Sequence, residues 1–263
     1  MIGFFILMPI NFYKYQSSGN SFVIIDNLEN KISLNKSQIV KLCDFNYGIG
    51  SDGLIIIRPC KESDFELQFF NPDGSKSFCG NGSLCALHFL KNKKFINKYC
   101  NFIGFDGIHE AKINDEIYLK MKNIDFYEKI NNDFYINSGA PHYVKFIDHN
   151  LKKIDIYIES MIIKTCDFLK KNPCNINFVS LEDEHTIHVR TFEKGIDRET
   201  LSCGTGAIAS AIAFSIKENR KINYVRMRGG TLRVTYKKNK NNTFSDIYLI
   251  GNPKNIYNGK ISI

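Results

Sequence analysis

Cys79-Gly80-Asn81-Gly82-Ser83-Leu84-Cys85-Ala86-Leu87-His88-Phe89-Leu90 and Cys203-Gly204-Thr205-Gly206-Ala207-Ile208-Ala209-Ser210-Ala211-Ile212-Ala213-Phe214-Ser215-Ile216 follow one pattern: C-G-[NT]-G, then an apolar run. The runs Ser83 to Leu90 and Ala207 to Ile216 read as helices that are apolar almost all round. A helix without a polar face has to be covered on every side. The segments around them alternate instead. Phe65, Leu67 and Phe69, then Ile117, Leu119 and Met121, then Ile187 and Val189 against His188 and Arg190, and finally Thr231 to Tyr236 and Asp246 to Ile250 read as half-buried strands. Asn11 to Asp26 reads as strand, turn and strand. Asn35 is placed to cap a short helix ending before Gly48, and a further helix is expected within Lys152 to Lys164. The chain is thus read as α+β: two β-rich units, each a sheet or barrel wrapped around a central buried helix, joined near Asn123 to Asn132.

Composition limits the function classes. At 263 residues, 43% hydrophobic and 24% charged, the chain is an ordinary globular protein, with neither collagen-like nor disordered composition. The net charge of +8 is spread along the chain, and runs such as Lys237 to Asn242 read as solvated loop, so no nucleic-acid partner is expected. Eight cysteines are too sparse for a disulfide scaffold and form no CxxC, while His185 and His188 lack a matching pair at metal-ligand spacing. A reducing cytoplasm and no metal are the expectation. Met1 to Ile10 is apolar but too short to span a bilayer, and Met8 reads as the initiator, so no membrane association is expected.

The repeated C-G-x-G carries the chemistry. A cysteine at a helix start sits beside unpaired backbone N–H groups and the positive end of the helix dipole, which stabilise a thiolate. The glycines let a carboxylate approach the same N–H groups. Two such sites facing each other across an interdomain cleft would set one thiolate and one thiol on opposite sides of an amino acid. One sulfur could then remove the α-proton while the other delivers a proton to the opposite face, with no cofactor required.

From about Asn11 onward the sequence resembles the diaminopimelate epimerase family. The ordered blocks that carry the resemblance begin with Gly19-Asn20-Ser21-Phe22, Gly48-Ile49-Gly50-Ser51-Asp52-Gly53 and Phe70-Asn71-Pro72-Asp73-Gly74, ahead of Cys79-Gly80-Asn81-Gly82. They continue with Gly139-Ala140-Pro141-His142, Asn175-Ile176-Asn177-Phe178, Phe192-Glu193-Lys194-Gly195, Glu199 to Gly206, and Gly229-Gly230-Thr231-Leu232. The resemblance implies cofactor-independent interconversion of LL- and meso-diaminopimelate, for lysine and peptidoglycan synthesis, by a homodimer. It implies two pseudo-symmetric domains closing on the substrate, residues 8–122 with 257–263 and residues 123–256, the last strand returning to the first domain.

The same resemblance makes Cys79 and Cys203 the acid/base pair, with Gly80, Asn81, Gly204 and Thr205 contacting the reacting carboxylate. It places Asn20, Asn71, Asn175, Glu193 and Lys194 at polar substrate positions, and His142 beside the site as a residue that tunes thiol protonation. Several positions depart from the family pattern: Lys194 stands for Arg, Ala140 for Asn, Ser21 for Asp and Leu84 for Arg, and the loop from Asn71 to Cys79 is one residue short. A proline racemase-type enzyme is the nearest alternative, although Asn81 stands where those proteins usually carry His. A non-catalytic amino-acid-binding relic is the other, and a thiol redox switch is a third. Cys43, Cys60, Cys85, Cys100, Cys166 and Cys174, like His88, His109 and His149, are assigned to structure.

Overall fold

A computed structural model describes residues 9–148 and 150–263. Met8, read as the initiator, and His149 lie outside them. The fold is α+β, and the chain divides into two compact units: residues 1–17, 21–117 and 253–263, and residues 18–20 and 118–252. In chain order the first unit holds β1 (Ile10–Ser17), β2 (Asn20–Asp26), α1 (Lys36–Cys43), β3 (Gly53–Arg58), β4 (Phe65–Phe70), α2 (Gly80–Asn92), β5 (Tyr99–Gly104) and β6 (Gly107–Ile113). After β7 (Ile117–Lys120), the second holds β8 (Tyr127–Ile130), β9 (Asp133–Asn137), β10 (Pro141–Phe146), α3 (Ile156–Ile163), α4 (Asp167–Lys171), β11 (Asn175–Leu181), β12 (Thr186–Glu193) and β13 (Arg198–Thr200). It continues with α5 (Gly204–Glu218), β14 (Tyr224–Met227), β15 (Gly230–Lys238) and β16 (Phe244–Gly251). The last strand, β17 (Lys254–Ile261), returns to the first unit and pairs antiparallel with β1.

The two units repeat one topology. In the first, β2 and β3 are parallel, β3 and β4 antiparallel, β4 and β5 parallel, β5 and β6 antiparallel. In the second, β10, β11, β12, β14 and β15 follow the same sequence of directions. Parallel neighbours need a crossover, and α1 or α3 with α4 supplies the first in each unit, α2 or α5 the second.

The crossover helices cover opposite faces of each sheet, so the parallel strands are buried on both sides. Phe22, Val23, Ile24 and Ile25 of β2 are each inaccessible, as expected of a strand reading as a continuous apolar run. On one face α1 closes a core of Val23, Ile25, Ile39, Leu42, Leu54 and Ile56. The corresponding core in the second unit joins Tyr143, Ile156, Leu169, Ile176, Phe178 and Phe192. The other face of each sheet wraps its central helix, and α2 is buried from Gly80 through Leu87.

The structure corrects one sequence expectation. The central helices begin at Gly80 and Gly204, ahead of the expected Ser83 and Ala207, so the glycines form the first turn and the cysteines cap it. Glycine is costly inside a helix but tolerable in its first turn, where caps and covering strands fix the backbone. The short helix α4 is a further element, on which the sequence reading is silent. Elsewhere Asn35 caps α1 with a reciprocal capping box to Gln38, and α3 lies within Lys152 to Lys164.

One turn is held by steric closeness. Ser18 (φ 48) and Gly19 (φ 82) make the two-residue turn between β1 and β2, the left-handed pair that a tight hairpin demands. A Cβ on Gly229 would stand 1.9 Å from the Ser18 carbonyl oxygen. Gly229→Ala is therefore expected to destabilise the second unit by about 2–3 kcal/mol, measured as a lower denaturation midpoint. An unchanged midpoint would show that the turn yields freely.

Candidate active site

Each central helix starts from the same backbone geometry. Cys79 and Cys203 are the N-caps of α2 and α5, both at φ −135° and ψ 113°. The following glycine-rich turn leaves first-turn amides without intrahelical acceptors, and the helix dipole adds positive potential there. In the first unit Gly82 N–H donates to Cys79 Sγ at 3.4 Å, while Ser83 N–H and Oγ–H donate to the Cys79 carbonyl at 2.8 and 2.9 Å. The cap is approached from a loop held by Asn71, whose Nδ2 donates to Ser75 Oγ at 2.9 Å and whose Oδ1 accepts from Ser77 Oγ at 3.2 Å. Phe78, just before the cap, stacks on His109 with ring centres 4.3 Å apart. Asn81 is buried in the first turn. Ser21 accepts from the buried Lys14 ammonium at 3.2 Å, and Leu84 is fully enclosed in α2.

The second unit gathers more of the sequence-expected residues. Cys203 Sγ lies 3.5 Å from Thr205 Oγ1, which is 2.8 Å from His142 Nε2. Asn175 Nδ2 is 3.4 Å from the same ring nitrogen, and Lys194 N–H donates to Asn175 Oδ1 at 2.9 Å. Glu193 accepts from Thr200 Oγ1 at 3.0 Å. The Lys194 ammonium is directed to the Pro173 carbonyl at 3.4 Å, so this residue meets Asn175 through its backbone N–H. Asn20 starts β2 and groups with the second unit. The loop into Cys203 is anchored by Glu199, which accepts two bonds of 2.7 Å from Arg190 and one of 3.1 Å from Arg228. Such forked, charge-assisted bonds fix geometry well.

Three buried residues that the sequence reading did not select join this cluster. Asn177 Nδ2 lies 2.9 Å from His142 Nδ1, Thr191 Oγ1 donates to Asn177 Oδ1 at 2.8 Å, and Ser138 Oγ donates to the Thr205 carbonyl at 2.7 Å. The available signal was spacing. Asn175 and Asn177 are two apart on a strand and so share a face.

Most of the cysteines outside the caps are buried, and so is the cap residue Cys203. Cys43, Cys85, Cys100 and Cys174 are enclosed in the two units, while Cys79 is half-buried. Desolvation pushes the Cys85 thiol well above its ordinary range, the Cys100 thiol up to about 12 and the Cys174 thiol up to about 11. They stay protonated and unreactive. Burial also drives His142 down to about 3, against a smaller upward pull from Asn177, so its ring is neutral at physiological pH.

The fold is shared with solved enzymes of very different sequence. A phenazine biosynthesis protein of the PhzF family from Bacillus anthracis superposes with a TM-score of 0.77 at 13% identity, over 97% of this chain and 99% of that one. A hydroxyproline epimerase from Agrobacterium vitis, solved with trans-4-hydroxy-L-proline, gives 0.68 at 11% identity, over 97% and 93%. Fold, paired cysteine caps and the relatives described next define the class: an isomerase that epimerises a stereocentre. The diaminopimelate epimerase of Flavobacterium psychrophilum is 40% identical over 245 residues, covering 91% of this chain and 95% of that protein. The family model for diaminopimelate epimerase matches residues 12–124 and 134–256, and the chain belongs to that family.

Proposed function

We propose that the chain interconverts LL- and meso-diaminopimelate with Cys79 and Cys203 as the two bases, without a cofactor. The observation that carries this reading is the matched pair of caps, each a cysteine at the tip of a buried helix with identical backbone angles. One thiolate takes the α-hydrogen as a proton and becomes a thiol. The other thiol gives its proton to the opposite face of the α-carbon and becomes a thiolate, so the resting pair is regenerated with its roles exchanged. The carbanion between these steps is poorly stabilised by the substrate alone. First-turn amides of Gly80 to Gly82 and Gly204 to Gly206, directed at the α-carboxylate, oppose its developing charge.

Asn20, Asn71, Asn175, Glu193 and Lys194 would recognise the distal amino-acid group, since amide side chains can both donate to a carboxylate and accept from an ammonium. Residues 8–122 with 257–263, and residues 123–256, would each contribute one thiol. The reaction supplies precursors of lysine and peptidoglycan, and we propose that the protein works in the cytoplasm as a homodimer. No helix among the described residues is long and apolar enough to cross a membrane.

The test is incubation of reduced protein with LL-diaminopimelate in heavy water, without pyridoxal phosphate, followed by NMR. Meso product carrying solvent deuterium at the inverted centre is expected. Binding without exchange would favour a non-catalytic relic, and turnover of proline alone would favour a proline racemase-type enzyme.

A further inference from the structure

The structure assigns Asn177 as a positioning residue: backed by Thr191, it fixes the tautomer of His142 so that the Thr205 hydroxyl proton points at Cys203 Sγ. The assignment follows from tracing donors and acceptors through the cluster. Thr191 Oγ1–H donates to Asn177 Oδ1 at 2.8 Å, which turns the amide nitrogen of Asn177 toward His142 Nδ1 at 2.9 Å. An amide nitrogen only donates, so Nδ1 accepts. The ring is neutral, because burial holds His142 far below its ordinary range, and its one proton is therefore on Nε2. That nitrogen donates to Thr205 Oγ1 at 2.8 Å, leaving the hydroxyl proton to be directed at Cys203 Sγ, 3.5 Å away. Asn175 Nδ2 sits 3.4 Å from the same Nε2, with its Oδ1 occupied by Lys194 N–H. Two donors do not bond one another, so the Asn175 amide hydrogens remain for a ligand.

Four bonds thus run in one direction, Thr191 to Asn177 to His142 to Thr205, and end on the sulfur. Asn177, His142 and Thr191 are all inaccessible to solvent, so water does not compete for them. Gly206 belongs to the same packing, since a Cβ there would stand 2.7 Å from Asn177 Oδ1. Hydrogen bonding to the charged form of a group favours that form, and the relay favours the Cys203 thiolate. Other ionisable groups on the carrying strands have their own partners. Tyr143 and Lys145 of β10 meet Asp133. His188 and Arg190 of β12 point to the face opposite Thr191, and Glu193 accepts from Thr200. The Cys79 sulfur takes a backbone N–H from Gly82, a bond that a change at Thr205 leaves in place.

The consequence for turnover rests on the two-cysteine reading; the relay itself does not. Nitrogen-15 spectra of wild-type protein labelled at histidine are expected to show His142 with a protonated Nε2 and a bare Nδ1. A protonated Nδ1 would overturn the assignment without any variant. Iodoacetamide alkylation of Cys203 and Cys79, followed peptide by peptide across pH, supplies the second readout. In Thr205→Val and in Asn177→Leu the midpoint for Cys203 is expected to rise by about one pH unit, roughly a tenfold loss of thiolate near neutrality. Cys79 should keep its midpoint, Thr205→Ser should restore that of Cys203, and the double variant should go no further than Thr205→Val alone. An unmoved Cys203 midpoint in folded Thr205→Val would refute the relay. Full turnover by Cys203→Ala would instead overturn the two-cysteine reading and leave tautomer and midpoints as they are.

Discussion

Neither Cys79→Ala nor Cys203→Ala is expected to invert the α-carbon, each losing about three orders of magnitude in turnover, and each should keep a different half of the proton chemistry. Removing one sulfur leaves the other able to serve its own face. In heavy water the surviving thiolate can lift a proton from the isomer whose hydrogen faces it and return deuterium to the same side. Residual exchange is therefore expected with one isomer in Cys79→Ala and with the opposite isomer in Cys203→Ala, in both cases without inversion. NMR of the recovered substrate gives exchange and configuration together. The comparison variant is Cys85→Ala, in the middle of α2 and wholly buried, which is expected to lose stability and keep its catalysis. Wild-type inversion by either cap variant would end the two-base reading.

The second large effect is on stability in acid. His142 titrates near 3 in the folded chain because burial penalises its charged form, and near 6.5 when unfolded. Above pH 6.5 both states hold a neutral ring, and the residue contributes no pH dependence. As pH falls from 6.5 toward 3, the unfolded chain gains a proton that the folded chain refuses, and stability declines. The loss is roughly 2 kcal/mol by pH 5 and roughly 4 kcal/mol by pH 3. Denaturant unfolding of wild type and His142→Asn at pH 7 and pH 5 measures it as the difference between their slopes. Equal slopes in the two proteins would show that the ring is protonated in the folded state.

The central helices were legible because being apolar on every side is a strong constraint: only a covering sheet satisfies it. Their first turns were less so, since glycine in sequence reads as loop, and the caps and covering strands that hold Gly80 to Gly82 and Gly204 to Gly206 in helix belong to the folded chain. Half-buried strands such as β4 and β12 announced themselves by alternation. The strand β3, Gly53-Leu54-Ile55-Ile56-Ile57-Arg58, did not, because burial on both faces removes the polar phase that marks a strand. At the site, the resemblance makes His142 a residue that tunes a thiol, and the structure adds its neighbours Thr205 and Asn177. Asn177 and Thr191 were invisible one residue at a time. Their role depends on lying opposite each other across β11 and β12, a pairing that no local pattern contains. Lys194 shows the converse, a charge selected for its side chain that meets Asn175 through its backbone.

The enclosed thiols have a consequence for following the molecule in motion. A sulfur that is neutral and shut away reacts with a trapping reagent only while its surroundings are open, so its trapping rate is a clock for opening, as amide exchange is for hydrogen bonds. Cys43, Cys85 and Cys100 lie in one unit and Cys174 in the other. The unmodified chain thus carries intrinsic probes that time the breathing of each repeat separately, with no foreign label to disturb it.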